Sequence, residues 1–349
     1  MRNHESINIS HSPPFISEQL DHFFEKFPAI KEQSSFAVAV SGGPDSMALL
    51  HALSVYASRE NKKIFCITVD HGLRDAAKKE AEDVAQWVAA QNTAYGNDLL
   101  NHVILKWDEK KQDAALMEAA RQARYQLMAD YCTEHNIQNI FVAHHQDDQA
   151  ETFLIRLSKG SGLDGLACMD IVHSYNKSIN IIRPFLNIPK QDLVSYCQEH
   201  DVPFAQDPSN ENEKYLRPRL RGSMNVLAQE GLSAKRLTTL TRRLRRARQA
   251  LSDIADKEYN NVVMNINDQA VLLNFSQLKQ LPEEIALRII QKSVREFRQG
   301  SVYDVRMDRL EDLFESLWFE TDNFKPRTLG GLIFALKDKN SALYISKES

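Results

Sequence analysis

The sequence predicts an α/β protein, a doubly wound parallel sheet followed by a basic helical linker and a small α+β domain. Three observations predict it. In the N-terminal part, short apolar runs alternate with longer segments of helical periodicity, the pattern of stacked β-α-β units. A stretch near the middle is dense in Lys and Arg, and the remainder alternates helical stretches with short strand-like pieces. At 349 residues the length suits two domains with room for a small third.

The elements follow in order. A polar leader precedes a helix expected near residues 20–27. The runs 36–40, 64–69, 103–107 and 140–143 are apolar almost without interruption, as strands of a parallel sheet covered on both faces are. The segments between them, 45–59, 75–91 and 114–135, carry apolar residues at helical spacing, for example Leu116, Ala120, Ala123, Leu127 and Tyr131. Crossovers of this size place the ligand site beyond the carboxyl ends of the strands. A further strand is expected over 179–185, then a helix over 189–200 opened by Pro189, then a turn at Asp207-Pro208-Ser209-Asn210. Residues 233–251 read as a helix with Leu237, Leu240, Leu244, Ala247 and Leu251 on one face. Helices over 282–298 and 304–318 and strands over 270–275 and 332–336 complete the C-terminal part.

Apolar residues at 43% and charged residues at 26% are ordinary globular usage and exclude global disorder. The four cysteines, Cys66, Cys132, Cys168 and Cys197, form no Cys-x-x-Cys pair, so neither a zinc ribbon nor a dithiol motif is written and reduced thiols are expected. No signal-peptide core and no apolar run of membrane-spanning length is visible, and the expectation is a cytoplasmic protein with no membrane partner. The formal charge of −4 hides a polarised distribution. Between Lys214 and Arg248 eleven basic residues face one acidic residue, Glu230, giving that segment +10 and the other 314 residues −14. A solvated helix face is the commoner meaning of a charge run. The near absence of acids here disfavours an internally paired helix and favours contacts to phosphates. Arg217, Arg219 and Arg221 alternate, and if extended they project to one side; Arg242 and Arg245 continue the basic surface.

Directly after the first strand comes Ser41-Gly42-Gly43-Pro44-Asp45-Ser46, leading into a helix. Two glycines let the backbone approach an anion, the serine hydroxyls donate, and the helix N-terminus adds oriented amides. The Gly-Lys-Ser/Thr ending of a Walker loop is missing, so γ-phosphate transfer is not the natural inference. A carboxylate in a phosphate site repels its ligand unless a divalent cation lies between them, which assigns Asp45 to Mg2+. The plain alternative is a strand-to-helix turn rich in glycine and serine.

Further motifs follow in order: Val69-Asp70-His71-Gly72-Leu73-Arg74, then Glu118-x-x-Arg121-x-x-Arg124-Tyr125, then His144-His145-Gln146-Asp147-Asp148-Gln149-Ala150-Glu151-Thr152 with Gly160-Ser161-Gly162, and finally Tyr215-x-Arg217-x-Arg219-Leu220-Arg221. The loop resembles that of the N-type ATP pyrophosphatases, or PP-loop enzymes, and the ordered set is similar to the tRNA(Ile)-lysidine synthases from about residue 36 to 232, less sharply to Thr328-Leu329-Gly330-Gly331. The resemblance implies an adenine nucleotide alpha hydrolase-like fold and a carbon-nitrogen ligase. Such enzymes use ATP to adenylate the 2-carbonyl oxygen of the wobble cytidine in a CAU anticodon. The ε-amine of free L-lysine then displaces AMP, changing decoding from AUG to AUA.

Carried onto this sequence, the resemblance implies ATP contacts from Ser41, Gly42, Gly43, Pro44, Asp45, Ser46, Asp70 and His71. It implies phosphate stabilisation by Arg124, and tRNA contacts from Arg217, Arg219, Arg221, Arg242 and Arg245. Lysine, with an ordinary pKa of about 10.4, is neutral in about one molecule in 2,500 at pH 7, so its attack needs a base or a desolvating site. Asp148 and Glu151, three apart on one helix face, are expected to hold its ammonium with help from His144. Carboxylates opposing a helix dipole are the bland alternative for that pair, and a helix-surface ion pair the bland one for Arg124. His71 and His145 read as strand-end turn residues.

Two departures stand out: Pro218, where the family commonly has Asn, and Asn225, where a proline is common. The domain reading is an N-terminal extension over 1–34, the ATP pyrophosphatase domain over 35–222, the linker over 223–252 and a tRNA-binding or substrate domain over 253–349. A homodimer is left open. The rivals are a metal hydrolase, lacking ligands at recognisable spacing; a tRNA thiolase, lacking cysteine pairs; a small-molecule amide synthetase, with no use for the basic segment; and an RNA-binding module without turnover.

Overall fold

The computed structural model describes residues 14–70, 75–96, 98–107, 116–205, 216–298 and 306–348. The chain divides into two compact units, Met1–Arg242 and Arg243–Ser349. The first unit runs α1 (Pro14–Lys26), α2 (Pro28–Lys31), β1 (Ser35–Ala39), α3 (Pro44–Glu60), β2 (Lys63–Asp70), α4 (Asp75–Tyr95), β3 (Leu100–Lys106), α5 (Leu116–Glu134) and β4 (Asn139–Phe141). It continues with α6 (Gln146–Ser158), α7 (Leu163–Leu166), β5 (Val172–Ser174), β6 (Asn180–Ile182), α8 (Lys190–Glu199), α9 (Leu216–Gln229) and the start of α10 (Ala234–Val262).

The six strands form one sheet in the order β3-β2-β1-β4-β6-β5. All neighbours are parallel except β5, which pairs antiparallel with β6 at the edge. The apolar runs read correctly because alternate residues of β1 enter opposite cores. Phe36 and Val38 pack with Leu20, Phe24, Met47 and Leu50 from α1 and α3, while Ala37 packs with Tyr125, Met128 and Cys132 from α5. The expected strand over 179–185 shortens to β6: the Arg183 amide still donates to the Ile171 carbonyl at 2.8 Å, but Pro184 has no N–H to continue a ladder. From β1 the chain moves outward to β2 and β3, then returns to lay β4 on the other side. The order reverses between β1 and β4, and the crevice beyond their carboxyl ends is where ligands of such sheets bind.

The second unit contains β7 (Val263–Ile266), β8 (Ala270–Asn274), α11 (Phe275–Leu278), α12 (Glu283–Arg298), α13 (Met307–Phe319), β9 (Arg327–Leu329), β10 (Leu332–Lys337) and β11 (Ala342–Lys347). Its antiparallel sheet has the order β7-β8-β11-β10-β9. Ile285, Ile289 and Ile290 of α12 recur at helical spacing and bury against it with Leu313 and Leu317 of α13. Gly330 and Gly331, both at positive φ, make the two-residue turn between β9 and β10, whose handedness matches the twist of the strands. Among the described residues no helix is long and apolar enough to cross a membrane.

One sequence expectation is corrected. Arg217, Arg219 and Arg221 are not an extended, alternating row: they lie on α9. On a helix Arg217 and Arg221, four apart, share a face, and Arg219 points to another. Pro218 is the third described residue of α9. Asn225 sits in the interior of the same helix and is exposed.

Candidate active site

The loop after β1 is closed by its own residues. Gly42 adopts φ +82°, a conformation that strains any residue with a Cβ, and its carbonyl accepts from the Ala205 amide at 2.9 Å. Gly43 and Pro44 start α3, with the proline at its first position, where no amide donor is required. The Ser46 hydroxyl donates to the Gly43 carbonyl at 3.0 Å and accepts from the Ser41 amide at 3.2 Å. Beside this loop lies a cavity of about 180 Å³, whose lining includes Ser41, Asp45, Ser46, Arg124, Tyr125 and His144. It opens at the carboxyl ends of β1, β2 and β4, where the strand order predicts a ligand.

Two adjacent histidines after β4 have opposite surroundings. His144 faces the guanidinium groups of Arg183, Arg121, Arg124 and Arg217, and burial together with those charges holds its pKa well below the ordinary value. Arg183 Nε donates to His144 Nδ1 at 3.3 Å. His145 opens α6 and is ringed by carboxylates. Its Nε2 lies 3.6 Å from Asp45 and 3.5 Å from Asp148, and its Nδ1 lies 3.5 Å from Asp147. Burial by itself lowers its pKa, but the close carboxylates of Asp147, Asp45 and Asp148 outweigh it, raising the value to about 10. The reading of His145 as a strand-end turn residue is therefore corrected: it is a buried cation that ties the loop carboxylate to two carboxylates of α6.

Each carboxylate of this group has a further task. Asp148 Oδ2 accepts the His145 backbone amide at 3.1 Å, a helix cap of the kind acidic residues in the first turn supply. Asp147 accepts the Lys190 amide at 2.9 Å, and its pKa is lowered mainly by the adjacent His145 ring. Asp45 Oδ1 is buried and has no hydrogen-bond partner among the described residues. One turn further along α6, Glu151 is 1% exposed; its Oε1 accepts from Arg221 Nε at 2.8 Å, and its Oε2 is buried without a described partner. Burial opposes the charge on Arg221, but Glu151, Asp148 and Asp147 reverse that and raise its pKa. Arg221 thus points back from α9 into the carboxylates of α6.

The structure brings Ser41, Asp45, Ser46, Arg124 and His144 to one cavity, and Asp148, Glu151 and Arg221 to one neighbouring group. Asp70 ends β2. Arg219 and Arg242 are exposed, and Arg217 and Arg245 are partly buried. His71, Lys214, Tyr215 and the turn at 207–210 lie outside the described residues. Sequence reasoning passed over His145, Lys190 and Arg183. The first has a signal in its spacing from Asp147 and Asp148; the last has one as the single charge in an apolar run that ends a strand. All four cysteines are buried, and burial pushes the thiols of Cys132 and Cys197 up to about 12, which keeps them protonated.

Residues 14–228 match the model of the PP-loop domain, an ATP-binding domain. The chain is 39% identical over 277 residues to the tRNA(Ile)-lysidine synthase of Methylobacterium nodulans, covering 79% of each protein. It is 36% identical over 260 residues to that of Wolbachia pipientis, covering 74% of this chain and 58% of the relative. Among solved structures, the U34-tRNA thiolase NcsA of Methanococcus maripaludis, with its [4Fe-4S] cluster, superposes with a TM-score of 0.53 at 17% identity, covering 66% of this chain and 80% of that one. That likeness establishes the fold alone. The architecture, the loop after β1 and the extended similarity agree that the chain belongs to the PP-loop family and, within it, to the tRNA(Ile)-lysidine synthases.

Proposed function

We propose that the chain joins free lysine to carbon 2 of the wobble cytidine in the CAU anticodon of tRNA(Ile), converting it to lysidine and its decoding from AUG to AUA. ATP adenylates the 2-carbonyl oxygen with release of pyrophosphate. The lysine ε-nitrogen then bonds to carbon 2, the bond from carbon 2 to oxygen breaks, and AMP leaves with that oxygen. The observation that carries this reading is the pairing of a phosphate-type loop with a buried, half-satisfied carboxylate. Ser41, Ser46 and the start of α3 receive phosphates, and Glu151 with Asp148 forms the seat for a cation. A carboxylate with an unfilled buried oxygen is costly unless a ligand supplies a donor, and an ammonium supplies three. Seated there, the lysine nitrogen gives up a proton to a neighbouring carboxylate before it attacks.

The residues also fit a magnesium ion. Asp45 lines the cavity beside the phosphate loop with its Oδ1 buried and without a described partner, and among the described residues no group of three or more His, Cys, Asp or Glu side chains forms an all-protein cage. Mg2+ is typically held by one or two carboxylates plus substrate phosphates, and Asp45 would hold it here. When bound, the ion neutralises phosphate charge during adenylation.

The test is incorporation of labelled lysine into purified CAU-anticodon isoleucine tRNA, with ATP and Mg2+ and a methionine tRNA as control. Label on the isoleucine tRNA alone, with AMP release, is expected; absence of label together with absence of RNA-dependent AMP would reject the reading. The basic surface gives a second check. Arg242→Gln is expected to weaken tRNA binding and to reduce the slope of log affinity against log salt by about 0.7–0.9, the value of one phosphate contact. An unchanged slope in filter-binding titrations would remove Arg242 from the RNA contacts.

A further inference from the structure

Arg183 follows β6 directly and is buried at 7% exposure. Its Nη1 donates to the Asp170 carbonyl at 3.1 Å and its Nε to His144 Nδ1 at 3.3 Å. A guanidinium only donates, so the atom it meets on His144 must be a lone pair. The imidazole proton then sits on Nε2. Among the described residues Nε2 makes no hydrogen bond, and the ring lines the cavity beside the phosphate loop. With Nδ1 engaged, Nε2–H is the group left for a ligand.

We infer that Arg183 is a positioning residue that fixes His144 as the Nε2–H tautomer, so that the ring presents a neutral hydrogen-bond donor to an acceptor oxygen of the nucleotide in the cavity. The inference rests on the reading of that cavity as the adenylation site. It also explains why two consecutive histidines differ. Arg183, Arg121, Arg124 and Arg217 together with burial keep His144 uncharged, whereas the carboxylates around His145 keep that ring cationic. Environments that push neighbouring titratable groups apart assign them different tasks. A neutral N–H polarises an oxygen without giving up its proton, and the charge of the phosphates is left to the arginines. Lysine in place of Arg183 keeps a positive charge but not the planar fork that reaches His144 and the Asp170 carbonyl together.

The experiment has two arms on the full chain. Histidine labelled with 13C and 15N reports the tautomer by NMR, the His144 signal being identified by its loss in His144→Gln. A neutral Nε2–H ring between pH 6 and 8 is expected; an Nδ1–H or charged ring overturns the inference. In the second arm, tRNA-dependent AMP formation is measured. Arg183→Lys is expected to lower kcat about 10- to 100-fold with the KM for ATP changed less than about threefold, as misplacement of one donor does. In a His144→Ala background the same substitution should add less than about a twofold loss, because Arg183 acts through His144. An equal loss in both backgrounds makes Arg183 an independent structural or phosphate contact and overturns the inference. Wild-type protein that forms no AMP with any tRNA would reject the lysidine reading, and the tautomer would still decide the Arg183–His144 arrangement.

Discussion

Glu151→Gln is expected to reduce lysine transfer to tRNA about 100-fold, while pyrophosphate release without lysine falls far less. The side chain is 1% exposed, one oxygen is bonded to Arg221 and the other is buried without a described partner. Hydrogen bonds to charged groups contribute about 1.5–3 kcal/mol, or roughly 10- to 150-fold in binding, and Gln forfeits the charge while keeping the shape. The Arg221–Glu151 pair is asymmetric, which supplies an internal control. Arg221 is 42% exposed on its side chain and returns to water when Glu151 is neutralised, so Glu151→Gln is expected to cost about 1 kcal/mol of stability or less. Arg221→Gln instead strands a buried carboxylate, at a cost of about 3–5 kcal/mol. Free lysine should then stabilise Arg221→Gln more than wild type, because its ammonium replaces the missing guanidinium; a ligand at 100 times its Kd adds about 2.7 kcal/mol. Thermal melts with and without lysine measure both effects. Equal lysine shifts in the two proteins would mean that the substrate ammonium does not compensate for the lost Arg221 charge at Glu151.

How far the sequence reaches depends on where the information is local. The strands of the first unit are legible because both faces of the sheet are buried, so β1 and β2 are written as almost uninterrupted apolar runs rather than with the spaced apolar stripe of an amphipathic helix. The loop after β1 is legible because positive φ at Gly42 and a proline at the first position of α3 are local demands. The arginines of α9 mislead because alternation suits an extended chain, whereas the described residues around them are helical and set Arg217 and Arg221 on one face. His145 and Arg183 are harder for another reason. Their roles come from partners distant in the chain, Asp45 for the one and a histidine on the loop after a different strand for the other. Asp148 combines both kinds of information: its capping bond to His145 is local, and its place beside Arg221 comes from packing against α9.

His145→Gln is expected to lower stability at pH 7 by roughly 3–5 kcal/mol, since it removes the cation from among Asp45, Asp147 and Asp148. For a unit of this size that is a fall in Tm of about 10 °C. The pH dependence gives the sharper test. The folded-state pKa of His145 is raised from 6.5 to about 10, so its stabilising contribution is fully present below about pH 6.5 and is lost as pH rises through about 10. The lowered pKa of Asp147 works in the other direction: its contribution is present above the ordinary carboxylate value and is lost as pH falls through the folded value. Wild-type protein should therefore be most stable between those limits. In His145→Gln three carboxylates crowd without their counter-charge, so the variant should gain stability on mild acidification, the wild type should gain only the small part of the His145 contribution not yet present at pH 7, and the two proteins should converge toward pH 10–11. Urea unfolding at pH 5, 7 and 10 in metal-free buffer measures the difference, and a gap that is the same at all three values would show that His145 is not the cation of the cluster. Activity separates this role from that of Glu151. His145 holds Asp45 of the phosphate loop and Asp148 of the lysine seat through the same Nε2, so its loss should depress pyrophosphate release and lysine transfer together, where Glu151→Gln affects chiefly the second.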